Sequence, residues 1–140
     1  MKLVLDTNTV ISALLFRGAT SRLVEVWQQG GVRLLASPAM VAEYLRVLHY
    51  PKFELDEKLI AGLLNESLLP YLEPAVPARG RLAHPCADPD DDLFLRAALG
   101  GRAEALVSGD KAVLALDGRY PFRIYSPAQV LAALKASRVE

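Results

Sequence analysis

Lys2-Leu3-Val4-Leu5-Asp6-Thr7-Asn8-Thr9 opens the chain with an apolar run that stops at a carboxylate. The same figure returns near the other end, where Ala105-Leu106-Val107-Ser108-Gly109 stops at Asp110. Short runs of Leu and Val without polar alternation read as strands buried on both faces, the mark of a parallel sheet. An acid just past such a strand stands at the carboxyl edge, where open α/β sheets hold their ligands. Glu43 and Asp92 reach the same edge from helices.

Between these two runs, strand and helix signals alternate. Strand Leu3 to Asp6 leads into a loop through Phe16-Arg17-Gly18-Ala19-Thr20, then a helix from Ser21 to Gln29 closed by Gly30-Gly31. Val32 to Ala36 is a second strand. Ser37-Pro38 is an N-cap followed by proline at the first helical position, opening a helix that Pro51 stops and that carries Glu43. A helix is predicted from Asp56 to Leu69 and a strand from Tyr71 to Val76, and Pro77 to Pro89 reads as a surface loop. Asp88-Pro89-Asp90-Asp91-Asp92 opens a helix to Leu99 ended by Gly100-Gly101. Glu104 to Ser108 and Phe122 to Tyr125 are strands flanking a short helix from Lys111, and Ser126-Pro127-Ala128-Gln129 starts the last helix as a capping box. This order predicts an α/β fold, a Rossmann-like three-layer α/β/α sandwich around a parallel sheet of four to five strands.

Composition sets the bounds. At 140 residues and 52% hydrophobic, residues 1–140 suit a single domain with its own core. Cys86 is the only cysteine, which excludes an intrachain disulfide and fits a reduced, cytoplasmic setting. No signal-peptide stretch or long apolar run occurs, so no membrane association is expected. Sixteen basic and sixteen acidic residues leave no strong positive field, so any nucleic-acid contact must be local. Phosphate-loop, dinucleotide and nucleophile-elbow sequences are absent.

An Asp after a strand is often only a turn former or helix cap, which accounts well for Asp88, Asp90 and Asp91. It accounts less well for Asp6, whose polar cluster precedes apolar Val10 and Ile11, or for Glu43, which lines up with Met40 and Val47. Asp92 shares a face with Leu95 and Leu99 and is preferred over Asp91 by helix phase. Carboxylates sharing one pocket raise each other's pKa unless a hard cation balances them, and oxygen donors suit Mg²⁺ or Mn²⁺, one ion or two. Seven arginines read mainly as solubilising surface, with Arg79 and Arg81 the exception, as RNA-contact candidates just ahead of the acidic turn.

Taken together, Asp6-Thr-Asn, the helix-borne Glu43, Asp92 in Asp-Pro-Asp-Asp-Asp-Leu-Phe-Leu-Arg-Ala-Ala, and Val-Ser-Gly-Asp110 resemble the four acidic motifs of the PIN domain, in order over nearly the whole chain. The resemblance is greatest to VapC-like toxin components of prokaryotic toxin-antitoxin systems. It implies a PIN-like fold and a metal-dependent ribonuclease with Asp6, Glu43, Asp92 and Asp110 as its acidic site. Asn8 and Ser108 would support that site, with Asp91 competing for the third position. It also implies an RNA substrate, a small antitoxin partner and a homodimer. The surplus of apolar residues at Leu59, Ile60, Leu63, Leu64, Leu68 and Leu69 independently suggests self-association. Two alternatives stand beside it. A haloacid-dehalogenase-like phosphohydrolase wants a second Asp where this chain has Asn8, and a non-catalytic PIN-fold module would bind RNA or assemble without cleaving it.

Overall fold

The computed structural model describes residues 1–139. Five strands form one sheet in the order β3-β2-β1-β4-β5. They are β1 (Lys2–Leu5), β2 (Arg33–Ala36), β3 (Leu72–Pro74), β4 (Ala105–Val107) and β5 (Arg123–Tyr125), and every neighbouring pair is parallel. Seven α-helices connect them: α1 (Thr7–Leu15), α2 (Arg22–Gln28), α3 (Pro38–Leu48), α4 (Glu57–Gly62), α5 (Asp92–Gly100), α6 (Lys111–Leu114) and α7 (Pro127–Val139). Leu3, Val4 and Leu5 are consecutive and all buried, as are Ala105, Leu106 and Val107. Consecutive strand residues point to opposite faces, so helices must cover both sides of the sheet.

This topology fixes where a ligand can go. From β1 the chain moves outward through β2 to β3, then crosses back to build β4 and β5 on the other side. The strand order therefore reverses between β1 and β4, which opens a crevice beyond their carboxyl ends. Register sharpens the point. Leu5 pairs with Val107, and the Asp6 N–H donates to the Val107 carbonyl at 3.1 Å, so the two strands stop level and release their acids side by side.

Three elements differ from the sequence reading. Thr7–Leu15 is a helix, although its run of Thr and β-branched residues has low intrinsic helix preference. Asp6 starts it by accepting from the Thr9 N–H at 2.9 Å, and burial of Val10, Ile11 and Ala13 holds it. The single helix expected up to Leu69 ends as α4 at Gly62, continues as a π-helical stretch over Leu63–Leu68, and closes with a 3₁₀ turn over Leu69–Tyr71. Pro70 has no N–H to donate, and the Ser67 carbonyl is taken by the Trp27 indole at 2.9 Å, so the regular ladder cannot go on. Within that leucine row Ile60, Leu64 and Leu68 belong to the core, leaving Leu59 and Leu69 exposed. Finally, the acidic turn opens with a 3₁₀ turn over Pro89–Asp91, and α5 begins only at Asp92.

Candidate active site

Asp6 is the centre of the crevice. It is 8% exposed, and both carboxylate oxygens are engaged: Oδ1 by the Thr9 N–H and Oδ2 by the Ser108 hydroxyl at 2.5 Å. Ser108 follows β4 directly and is fully buried, and its Oγ also accepts from the Asp110 N–H at 3.0 Å. One hydroxyl thus joins the acid after β1 to the acid after β4. Asp110 caps α6 by accepting from the Ala112 N–H at 2.8 Å. Burial pushes the Asp6 carboxyl above its ordinary value; the bonds from Ser108 and Thr9 oppose this, and the charge of Asp110 adds to it. Beneath the site Tyr44 is buried and donates to the Leu5 carbonyl at 2.6 Å, fixing α3 against the end of β1.

Asp91 feels the charge of the Asp6–Asp110 pair. Its carboxyl is pushed up to about 6, first by burial and then by the charges of Asp88, Asp110, Asp6 and Asp90. The two neighbouring acids stand on different elements: Asp91 closes the 3₁₀ turn, where the backbone rotates by a different step per residue, and Asp92 opens α5. Asp92 has another partner. Its Oδ1 accepts from the Cys86 N–H at 2.7 Å and so fastens the end of the Pro77–Pro89 loop to α5. The Cys86 thiol is pushed up to about 12 by burial and by Asp92, which keeps it protonated and unreactive at neutral pH.

Glu43 sits apart from the Asp6 cluster. Its carboxylate is gripped by Arg46 one turn along α3, Nε to Oε2 at 3.1 Å and Nη2 to Oε1 at 2.5 Å. The same guanidinium donates through Nη1 to the Tyr50 hydroxyl at 2.6 Å. Glu43 and Arg46 line an open cavity of about 680 Å³ together with Asp90, Asp92 and Arg96, so the cavity adjoins the acidic turn. Arg96 lends its Nη1 to the carbonyls of Ala78 and Gly80, clasping the loop that carries Arg79 and Arg81, both of which are exposed. Asn8 is exposed on the first turn of α1.

The donor set suits a hard divalent ion in its chemistry. It consists of oxygens, and the charge of Asp110 weighs on both Asp6 and Asp91. Thr7 adds to this. Its Oγ1, next to Asp6, is the one buried side-chain oxygen or nitrogen without a hydrogen-bond partner among the described residues. The arrangement is open, however: among the described residues no three His, Cys, Asp or Glu side chains stand as a ready-made ligand group. Thr7, Thr9, Tyr44 and Arg46 carry parts of this site that the sequence reading passed over. Arg46 alone left a signal, three residues from Glu43 on one helix face.

A family model described as PIN domain matches residues 2–112, a span that contains Asp6, Glu43, Asp91, Asp92 and Asp110. Among solved structures, the crystal structure of FitAcB from Neisseria gonorrhoeae superposes with a TM-score of 0.55 at 15% sequence identity, covering 90% of this chain and 98% of that one. At that identity the likeness speaks for the fold alone. No curated protein matches this chain.

Proposed function

The chain belongs to the PIN-domain family, and from that membership and the carboxylates at the β1/β4 crevice we propose a metal-dependent ribonuclease that hydrolyses RNA phosphodiester bonds. The observation that supports the proposal is the meeting of Asp6 and Asp110 at the Ser108 hydroxyl where the strand order reverses, with the charge of Asp110 bearing on both Asp6 and Asp91. A structural turn gains nothing from gathering like charges at one edge, whereas a cation site does. The haloacid-dehalogenase reading lapses with the family assignment.

In this mechanism Asp6, Asp91 and Asp110 would hold Mg²⁺ or Mn²⁺. Glu43 joins them when released from Arg46, and Asp92 supports the site by fastening the loop. A bound ion supplies a water of lowered pKa and neutralises charge at the phosphodiester. Ser108 fixes the orientation of Asp6 through its hydroxyl and that of Asp110 through the Asp110 N–H. Thr7 offers an unclaimed hydroxyl beside Asp6. No side chain becomes covalent. Asn8, Arg79 and Arg81, all exposed near the crevice or the acidic turn, are proposed to meet RNA through local contacts, as zero net charge requires.

The biological reading is a toxin component restrained by a small antitoxin and acting as a homodimer in the cytoplasm. The exposed Phe16, Leu59 and Leu69 supply apolar surface for such contacts, and no helix among the described residues is long and apolar enough to cross a membrane. Light scattering that returns a monomer mass over a wide concentration range would remove the dimer. The open arrangement of the acids favours one second reading, a non-catalytic PIN-fold module that binds RNA without metal. Cleavage of single-stranded RNA with and without Mn²⁺ separates the two. Binding without any metal-dependent cleavage would leave only the second.

A further inference from the structure

The grip of Arg46 on Glu43 is hard to reconcile with an acid that serves only as a metal ligand, because both carboxylate oxygens are already occupied. A guanidinium fork takes a carboxylate or a phosphate with the same two-pronged geometry, so whatever can displace Glu43 must resemble it. The cavity beside the pair has the charge pattern for such a ligand. Arg46 lines it, Arg96 lines it without a carboxylate partner among the described residues, and so do the acids Asp90 and Asp92 of the acidic turn. Arg46 stays a cation at any relevant pH, held further up by Glu43. The cavity therefore offers fixed positive charge to a phosphate and carboxylates to a cation, next to each other.

Resting on the ribonuclease reading, we propose that the Arg46–Glu43 pair is an exchange switch: an RNA phosphate takes the Arg46 fork, and the released Glu43 turns to the acids that hold the divalent ion. The exchange is accessible because Arg46 is exposed and Glu43 is only partly buried. An ion pair in water shifts an equilibrium only a few-fold, so a phosphate can displace the carboxylate without a large opposing cost. Tyr50 makes the exchange orderly. Through its hydroxyl and its ring, 5.4 Å from the guanidinium carbon, it keeps Arg46 in place after Glu43 leaves. The consequence is reciprocal coupling: nucleic acid tightens the ion, and the ion tightens nucleic acid by the same factor.

The test is Mn²⁺ affinity by titration calorimetry on the wild type, Arg46→Gln, Glu43→Gln, the double variant and Arg96→Gln, with circular dichroism to confirm folding. Releasing Glu43 should make Arg46→Gln bind Mn²⁺ roughly two- to five-fold more tightly than the wild type. That gain should vanish in the Glu43→Gln background. Arg96→Gln removes the same charge without touching Glu43, so its effect should be the same with or without Glu43. A fluorescein-labelled ten-nucleotide single-stranded oligodeoxynucleotide, followed by anisotropy, should bind the wild type more tightly with Mn²⁺ than without, and the gain from Mn²⁺ should be smaller in Arg46→Gln. If Arg46→Gln gains as much Mn²⁺ affinity without Glu43 as with it, or gains none, the switch is refuted while the metal site stands. Wild type that binds no Mn²⁺, or binds it as well after Asp6→Asn, refutes the metal reading and the switch together.

Discussion

Replacing Asp91 by Asn should stabilise the protein in a way that depends on pH, with the sign fixed by the direction of its shift. The native carboxyl lies at about 6 against an ordinary value of 3.8. Above pH 6 the folded state must hold this group charged at a cost. As pH falls from 6 toward 4 the folded protein takes up the proton before the unfolded chain does, and the cost is relieved. In an unscreened site the shift corresponds to roughly 3 kcal/mol. Asp91 is only partly buried, so solvent screening reduces this to about 1 kcal/mol. Urea unfolding by circular dichroism should therefore show Asp91→Asn gaining about 1 kcal/mol over the wild type at pH 7.5 relative to its standing at pH 4.5, or roughly 3–5 °C in Tm for a domain of this size. Millimolar Mn²⁺ should stabilise the wild type at pH 7.5 and cancel the advantage, because the ion supplies the missing countercharge. A difference between the two proteins that does not change with pH would refute the reasoning. So would an advantage that Mn²⁺ leaves untouched.

Other residues around the site make separate predictions. Asp6→Asn and Asp91→Asn should each lower Mn²⁺-dependent cleavage of single-stranded RNA by orders of magnitude, whereas Asp90→Asn, on the exposed capping turn, should stay close to the wild type; full activity in both former variants would sink the nuclease assignment. Asp92→Ala should cost about 1–3 kcal/mol by leaving the buried Cys86 without a partner for its N–H, while Asp92→Asn, which keeps an accepting oxygen, should cost less in the same urea titration. Gly100→Ala reverses the usual helix preference. A Cβ there would collide with the Val76 carbonyl oxygen and approach Ala78 N to 2.7 Å, so overpacking of about 1–3 kcal/mol should outweigh the roughly 1 kcal/mol gained in helix propensity. A Tm that holds or rises would show that the Val76–Ala78 backbone yields freely.

The sequence made the strands easy to read because burial on both faces leaves an unbroken apolar run, and Leu3-Val4-Leu5 and Ala105-Leu106-Val107 have no other reading. Asp6 and Asp110 followed from them, being the first acids past those strands. The different placement of Asp91 and Asp92 did not follow. The choice between neighbouring acids depends on whether the first turn is 3₁₀ or α, a difference of backbone rotation that three consecutive Asp residues cannot encode. Helix α1 was hidden for a related reason. Its Thr and β-branched residues suit a strand, and only the cap from Asp6 and the tertiary burial of its apolar face make it helical. The Arg46 grip on Glu43 was within reach at a spacing of three, but such pairs are common on exposed helices, and nothing in the sequence marks one that faces a cavity.

The capping role of Asp6 and its proposed metal role do not compete, and this bears on why the residue is an aspartate. Capping α1 requires one accepting oxygen, and Oδ1 meets that need through the Thr9 N–H. Asparagine would cap as well, and in a buried position it would avoid the cost of a charge that burial and Asp110 both penalise. The Ser108 hydroxyl could likewise donate to an amide oxygen or accept from an amide nitrogen, so neither local bond demands a carboxylate. Asp110 repeats the pattern, capping α6 with Oδ1 although an asparagine would serve. At both strand ends the chain therefore carries a charge that its own fold does not use. On this argument Asp6→Asn should leave the fold as stable as the wild type or more so while ending Mn²⁺ binding. If Asp6→Asn instead unfolds the domain, the charge belongs to the fold, and the case for a cation in the crevice loses its main support.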